Sequence, residues 1–103
     1  MSAKLDSERV YEVLRTVLDP ELGVNVVDLG LVYSVEVTPE GVFVAMTMTT
    51  AACPLGEHLR ETAHAAVSRL AGAEIPVDVR LVWDPPWSPS MMSEQAKSML
   101  GHS

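Results

Sequence analysis

The sequence predicts a small α+β domain, in which a three-stranded mixed sheet carries helices on one face. The chain has 103 residues, enough for one hydrophobic core, so residues 1–103 are expected to form a single domain. Hydrophobic residues make up 48% of the chain and charged residues 20%, as is typical of a folded protein. Segments with helical periodicity alternate with segments of two-residue periodicity, in the order α-β-β-α-β-α.

The first helix is predicted from a cap and an apolar stripe. Asp6 suits the N-cap position, and the carboxylate of Glu8 in the first turn interacts favourably with the helix dipole. The stripe consists of Val10, Val13, Leu14, Val17 and Leu18. Pro20 is expected to end this helix, because a proline disfavours helical backbone in the residue before it. A loop should follow from Asp19 to Gly30.

A β-hairpin is predicted next. Two runs alternate between apolar and other residues, the first at Leu31, Tyr33, Val35 and Val37 and the second at Val42, Val44, Met46 and Met48. The turn residues Thr38-Pro39-Glu40-Gly41 lie between them. The sequence therefore predicts two antiparallel strands joined by a short turn.

The second half of the chain is predicted to form a helix, a strand and a final helix. The helix should run from about Pro54 to Leu70, where Gly72 closes it. A strand with apolar residues at Val77, Val79, Leu81 and Trp83 should end at Asp84-Pro85-Pro86, before a last helix from Ser88 to Leu100. A helical crossover after a hairpin predicts a mixed sheet. Three helices are enough to cover only one face of that sheet.

Charge and hydropathy exclude several classes of partner. The formal net charge of −7, without a basic cluster, disfavours binding to nucleic acid. No apolar run is long enough for a membrane span, and the first six residues lack the order of a secretory signal. These features predict a cytoplasmic protein that binds neither membranes nor nucleic acid.

Cys53 is the first candidate for chemistry. A single cysteine excludes a disulfide within one chain and a site made only of cysteines, although two chains would supply two thiolates. Pro54 suits the first helical position, which would make Cys53 the N-cap and favour its thiolate form. The alternative is a buried, inert cysteine that packs as a small apolar residue.

Carboxylates and hydroxyls near Cys53 could complete a site. Asp19, Glu21 and Asp28 share one loop, where they could ligate iron or zinc beside a thiolate or accept its proton, unless they are plain turn residues. Thr47, Thr49 and Thr50 are most simply the polar side of a strand. The hydroxyls of Thr49 and Thr50 could, however, donate to a sulfur or an anion.

Four motifs together resemble one family, the SufT and PaaD-like iron–sulfur assembly family, also called the metal–sulfur cluster biosynthetic family. They cover about residues 6 to 101 and are Asp19-Pro20-Glu21, Val27-Asp28-Leu29-Gly30-Leu31-Val32, Met48-Thr49-Thr50-Ala51-Ala52-Cys53-Pro54, and Trp83-Asp84-Pro85-Pro86-Trp87 with Met91-Met92-Ser93. The resemblance implies the small α+β fold of iron–sulfur cluster assembly domains. It also implies a site made of Asp19, Glu21, Leu22, Thr49, Thr50 and Cys53.

By resemblance, the function is maturation of iron–sulfur proteins: Cys53 would bind iron or a cluster transiently, and partners would be the assembly machinery and apo client proteins. PaaD-type members carry a cysteine-rich C-terminal extension, which this chain lacks, and a PaaD role is therefore disfavoured. Other relatives are fused to a P-loop scaffold. This chain has no such domain, which suggests that the scaffold acts in trans. Two alternatives remain, a small thiol enzyme with Cys53 as nucleophile, and a non-metal adaptor that docks through Trp87, Met91 and Met92. The hairpin edge and the apolar C-terminal patch predict a homodimer.

Overall fold

Three helices and three strands follow one another in the predicted order. The computed structural model describes residues 5–20, 22–48 and 56–100. Its elements are helix α1 (Ser7–Leu14), strands β1 (Val32–Thr38) and β2 (Gly41–Met46), helix α2 (Gly56–Ala71), strand β3 (Val77–Leu81), a 3₁₀ turn (Pro89–Met91) and helix α3 (Glu94–Met99). The predicted start of the second helix near Pro54 lies outside the described residues.

The sheet has the strand order β1-β2-β3, with β2 in the centre. β1 and β2 are antiparallel and joined by the predicted turn, whose ends Thr38 and Gly41 pair with each other. β2 and β3 are parallel, as the helical crossover through α2 requires. The prediction of a small mixed sheet is therefore confirmed.

The two faces of the sheet differ in burial. The inner face of β2 presents Val42, Val44 and Met46, all at most 2% exposed, to a core shared with side chains of all three helices. On the outer face, Phe43 is 41% exposed beside an open groove. The helices thus cover one face, as predicted.

α1 is shorter than its apolar stripe predicts. Asp6 is the N-cap, since its Oδ1 accepts from Arg9 N at 2.9 Å, but the helix ends at Leu14. Beyond it, Val26 N donates to Val17 O at 3.0 Å, and Leu18 forms a bridge with Asn25. The prediction of a helix through Leu18 was wrong because this backbone pairs with a later part of the loop.

The last predicted helix is interrupted. Met92 has extended backbone with ψ 150°, which separates the 3₁₀ turn from α3. Ser93 begins the new helix as its N-cap, where its Oγ accepts from Ala96 N at 3.1 Å. The prediction of one helix from Ser88 to Leu100 was wrong because this cap restarts the helix. None of the helices in the described ranges is long and apolar enough to cross a membrane.

Candidate functional site

The described part of the candidate site lies at one end of the sheet. β2 and β3 are parallel, so Met46 and Leu81 end them at the same edge. α2 begins there too, because a Cβ on Gly56 would lie 3.2 Å from Met48 Cγ and 3.5 Å from Leu81 Cδ1. Met48 and Gly56, which flank the connection that contains Cys53, are therefore both at the carboxyl edge of the parallel strands. Ligands of open α/β sheets bind at such edges.

The loop that follows α1 is tied to the same edge. Thr47 N donates to Leu31 O at 2.7 Å, directly after β2. Leu31 N in turn donates to Val26 O at 3.0 Å, and Asp19 N to Val24 O at 3.0 Å. This series of backbone hydrogen bonds fixes the predicted acidic loop relative to the end of β2.

Asp19 is a buried residue of this loop, only 4% exposed. Its Oδ1 accepts from Leu22 N at 3.2 Å, and its carbonyl oxygen accepts from Gly23 N at 2.8 Å. Asp19 therefore shapes its own turn with both side chain and backbone. Asp19 is therefore not solvated, but these hydrogen bonds are those of a turn residue, so its role as a ligand stays a prediction.

Leu22 lies in the same turn and is 40% exposed. The structure thus places two of the six predicted site residues, Asp19 and Leu22, in one turn. The other four are Glu21, Thr49, Thr50 and Cys53, which lie outside the described residues and stay predictions. Within the described ranges, no three or more His, Cys, Asp or Glu residues are grouped so that they could hold a metal ion.

The third carboxylate of the acidic loop, Asp28, has a structural role. Its Oδ2 accepts from Asn25 Nδ2 at 2.7 Å, and its N–H donates to Asn25 Oδ1 at 2.9 Å. Its carbonyl oxygen accepts from Ser93 N at 2.8 Å. Asp28 therefore holds the loop against the start of α3.

Part of the aromatic C-terminal motif packs against the core, and part of it is exposed to solvent. Trp87 is packed against the core with its Nε1 donating to Leu29 O at 2.7 Å, and Met92 is buried. Trp83 and Met91 are exposed, by 45% and 37%. Of the three residues expected to form an adaptor surface, Met92 is in the core, so that surface is not formed as predicted.

Thr47 is a residue of this edge whose environment the sequence does not indicate. The alternation of β2 places its side chain on the polar side of a strand, yet it is only 1% exposed. Among the residues that the structure describes, its Oγ1 has no hydrogen-bond partner. An unpaired buried hydroxyl costs about 1–3 kcal/mol of folding free energy, so this hydroxyl is expected to lower the stability of the fold.

Replacing Thr47 by valine is expected to raise the free energy of unfolding by about 1–2 kcal/mol, since the shape is kept and the unpaired hydroxyl is removed. Urea denaturation measures this change. The matched control is Thr16→Val, which should lower stability because Thr16 Oγ1 donates to Val13 O at 2.6 Å. A loss of stability in Thr47→Val would show that the hydroxyl has a partner.

Comparison with known proteins identifies the family. The family described as iron–sulfur cluster assembly protein matches residues 7–79. SufT of Staphylococcus aureus, a Fe-S protein maturation auxiliary factor, is 46% identical over 90 residues, which cover 82% of this chain and 97% of that protein. YitW of Bacillus subtilis, with the same description, is 39% identical over 95 residues, 91% of this chain and 92% of YitW.

A solved structure shares the fold. The domain of unknown function DUF59 from Bacillus anthracis superposes with a TM-score of 0.84 at 38% identity, covering 91% of this chain and 90% of that one. Sequence and fold agree over nearly the whole length of these relatives. The chain therefore belongs to the iron–sulfur cluster assembly protein family.

Proposed function

We propose that this chain is a maturation factor for iron–sulfur proteins, which binds iron or a cluster transiently through Cys53 and passes it to apo client proteins. The observation that carries the proposal is the placement of Met48 and Gly56, on either side of Cys53, at the carboxyl edge of the parallel strands. The loop of buried Asp19 is tied to that edge. Similarity to two maturation auxiliary factors supports the same function.

The ligand count favours transfer over storage. Clusters are commonly held by four thiolates, whereas this chain has one cysteine. Carboxylates such as Asp19 and Glu21 are harder donors that bind a soft cluster less firmly. A homodimer would supply two thiolates, and a client would complete the ligand set during transfer. Weak ligation is what permits the cargo to leave.

The proposed partners follow from this role. They are other components of the iron–sulfur assembly machinery, apo clients and a P-loop scaffold that acts in trans, all in the cytoplasm. A thiol enzyme would instead need a base near Cys53. Of the two described histidines, His64 is bonded to Val77 O at 3.0 Å, and His58 is exposed on the first turn of α2. Neither observation favours that alternative.

Anaerobic reconstitution with iron and sulfide tests the proposal. The protein should gain the visible absorption of a cluster, lose it on gel filtration in air, and transfer it to an apo ferredoxin without air. Retention of a full complement of cluster by the monomer in air would indicate a stable cofactor. Activity in a maturation assay without any uptake of iron would favour the adaptor or enzyme alternatives.

A further inference from the structure

The outer face of the sheet carries an open groove of about 270 Å³. Every residue that lines it belongs to one of the three strands, except Val82, which directly follows β3. The helices contribute their buried side chains to the core on the opposite face. Within the described ranges, the groove is therefore formed by the sheet alone and is accessible from solvent.

An aromatic ring lies in the middle of this groove. Phe43 is on the central strand β2 and is 41% exposed. The register pairs it with Glu36 on β1 and with Asp78 on β3. Side chains of directly paired residues share one face of a sheet, with their Cβ atoms about 5 Å apart. The phenyl ring therefore lies between two carboxylate side chains.

The charges of the groove do not balance. Arg80 Nε is 2.9 Å from Asp78 Oδ2, so this cation is already paired with one of the two carboxylates. Glu36 is exposed and forms no ion pair with any other described residue. The groove thus has one net negative charge, in a chain whose formal net charge is −7. Such a surface attracts cations and repels anions.

We propose that this groove docks an arginine side chain of a partner protein, with the guanidinium held by Glu36 and stacked on Phe43. A guanidinium donates two parallel hydrogen bonds to a carboxylate and stacks on aromatic rings. The methylene groups of the arginine would cover apolar surface of the groove at Ala45 and Val82. Lysine has neither the planar fork nor the flat face, and a divalent metal ion would gain little from the phenyl ring.

Charge favours a basic partner over a second copy. Two copies with a net charge of −7 each repel one another, whereas a basic segment of another protein is attracted. The groove lies on the outer face of the sheet, and the candidate site lies at the carboxyl edge of the parallel strands. This proposal therefore goes beyond the proposed function and does not depend on the chemistry of Cys53.

Titration with a short peptide tests the docking of arginine. The probe is acetyl-Gly-Arg-Gly-amide, followed through the backbone amide resonances of the ¹⁵N-labelled chain. The amides of Glu36, Phe43 and Asp78 should shift in a saturable way, with a Kd of roughly 1–10 mM. The same peptide with citrulline is neutral and has nearly the same shape, and it should bind at least about fivefold more weakly. A lysine peptide should bind about twofold to fivefold more weakly.

Two variants separate the charge from the ring. Glu36→Gln removes the charge at constant size and should raise the Kd of the arginine peptide about twofold to fivefold. Phe43→Leu keeps an apolar side chain without a ring and should raise it by a similar factor. The matched control is Glu12→Gln, which removes one carboxylate from an exposed position of α1 and should leave the Kd unchanged. All three positions are exposed or half-exposed, so the fold should persist, which circular dichroism checks.

Three results would overturn the docking surface. The first is equal binding of the arginine and citrulline peptides. The second is a set of shifts as large at Glu8 and Glu12 of α1 as at Phe43, which would show only general attraction to an acidic protein. The third is tighter binding of free arginine than of the blocked peptide, which would assign the groove to a small molecule.

The same variants keep this proposal separate from the proposed function. Glu36→Gln should take up as much iron as the unchanged chain in anaerobic reconstitution, because the groove holds no part of the candidate site. Cys53→Ser should bind the arginine peptide with an unchanged Kd. Loss of peptide binding in both the Glu36 and Cys53 variants would mean that the groove and the candidate site are one surface, and would contradict the separation proposed here.

Discussion

Replacing Cys53 by serine is expected to abolish maturation of client proteins while leaving the fold unchanged. Serine keeps the size of the side chain but offers a hard oxygen in place of a soft thiolate. As the chain has one cysteine, no other thiol within it can take over. The measurement is activation of an apo iron–sulfur enzyme by the variant, with circular dichroism to confirm that it is folded.

Asp28→Asn is a suitable control for the loss of a charged or ligating group in the same region. Asp28 already bonds to Asn25, so its carboxylate is occupied in the structure, and maturation should largely persist. Full activity of Cys53→Ser would remove the thiolate from the proposed function. The buried turn of Asp19 would then have to be explained as structure alone.

Replacing Gly30 by alanine is expected to lower the free energy of unfolding by about 2–4 kcal/mol. Gly30 has φ +77°, and a Cβ there would lie 2.7 Å from the carbonyl carbon of Met91 and 2.8 Å from its Cβ. Met91 cannot move freely, because Trp87 Nε1 bonds to Leu29 O and Ser93 N bonds to Asp28 O on either side of it. Urea denaturation measures the loss.

The control variant Gly23→Ala measures the cost of backbone strain alone, without a steric contact of the added Cβ. Gly23 also has positive φ, at +70°, but nothing lies within 4 Å of a Cβ there. The Gly23→Ala variant should lose only about 1 kcal/mol of its free energy of unfolding, which is the cost of left-handed backbone for a residue with a side chain. Equal losses in both variants would mean that the segment around Met91 moves away from Gly30 at little cost.

The hairpin and the core were predictable because their signals are local. Alternation in β1 and β2 has a period of two, which assigns Val35 and Val44 to the inner side and Glu36 and Phe43 to the outer side without knowledge of any other element. The buried positions Val10 and Leu14 likewise follow from helical spacing. The motifs that resemble the family also led to the correct fold and family.

The errors concern places where distant residues compete with local preference. Val17 and Leu18 continue the spacing of α1, but their backbone pairs with the stretch around Asn25 and Val26, which no local pattern reveals. The helical spacing after Ser88 is interrupted at Met92, whose side chain enters the core. In the candidate site, the motif predicts Asp19 and Leu22 as site residues, which stays a prediction, and it does not reveal that Asp19 is buried.

The sequence alone determined the class of fold, the order of the elements, the family and the choice of Cys53 as the candidate ligand, because each rests on periodicity or on a motif contained in neighbouring residues. The tertiary structure decided the burial of Asp19 and Thr47, and which side chains bind the outer carbonyl groups of β3. Burial depends on what covers a residue. Arg60 and His64 reach the carbonyl groups of Val79 and Val77 because α2 packs against β3.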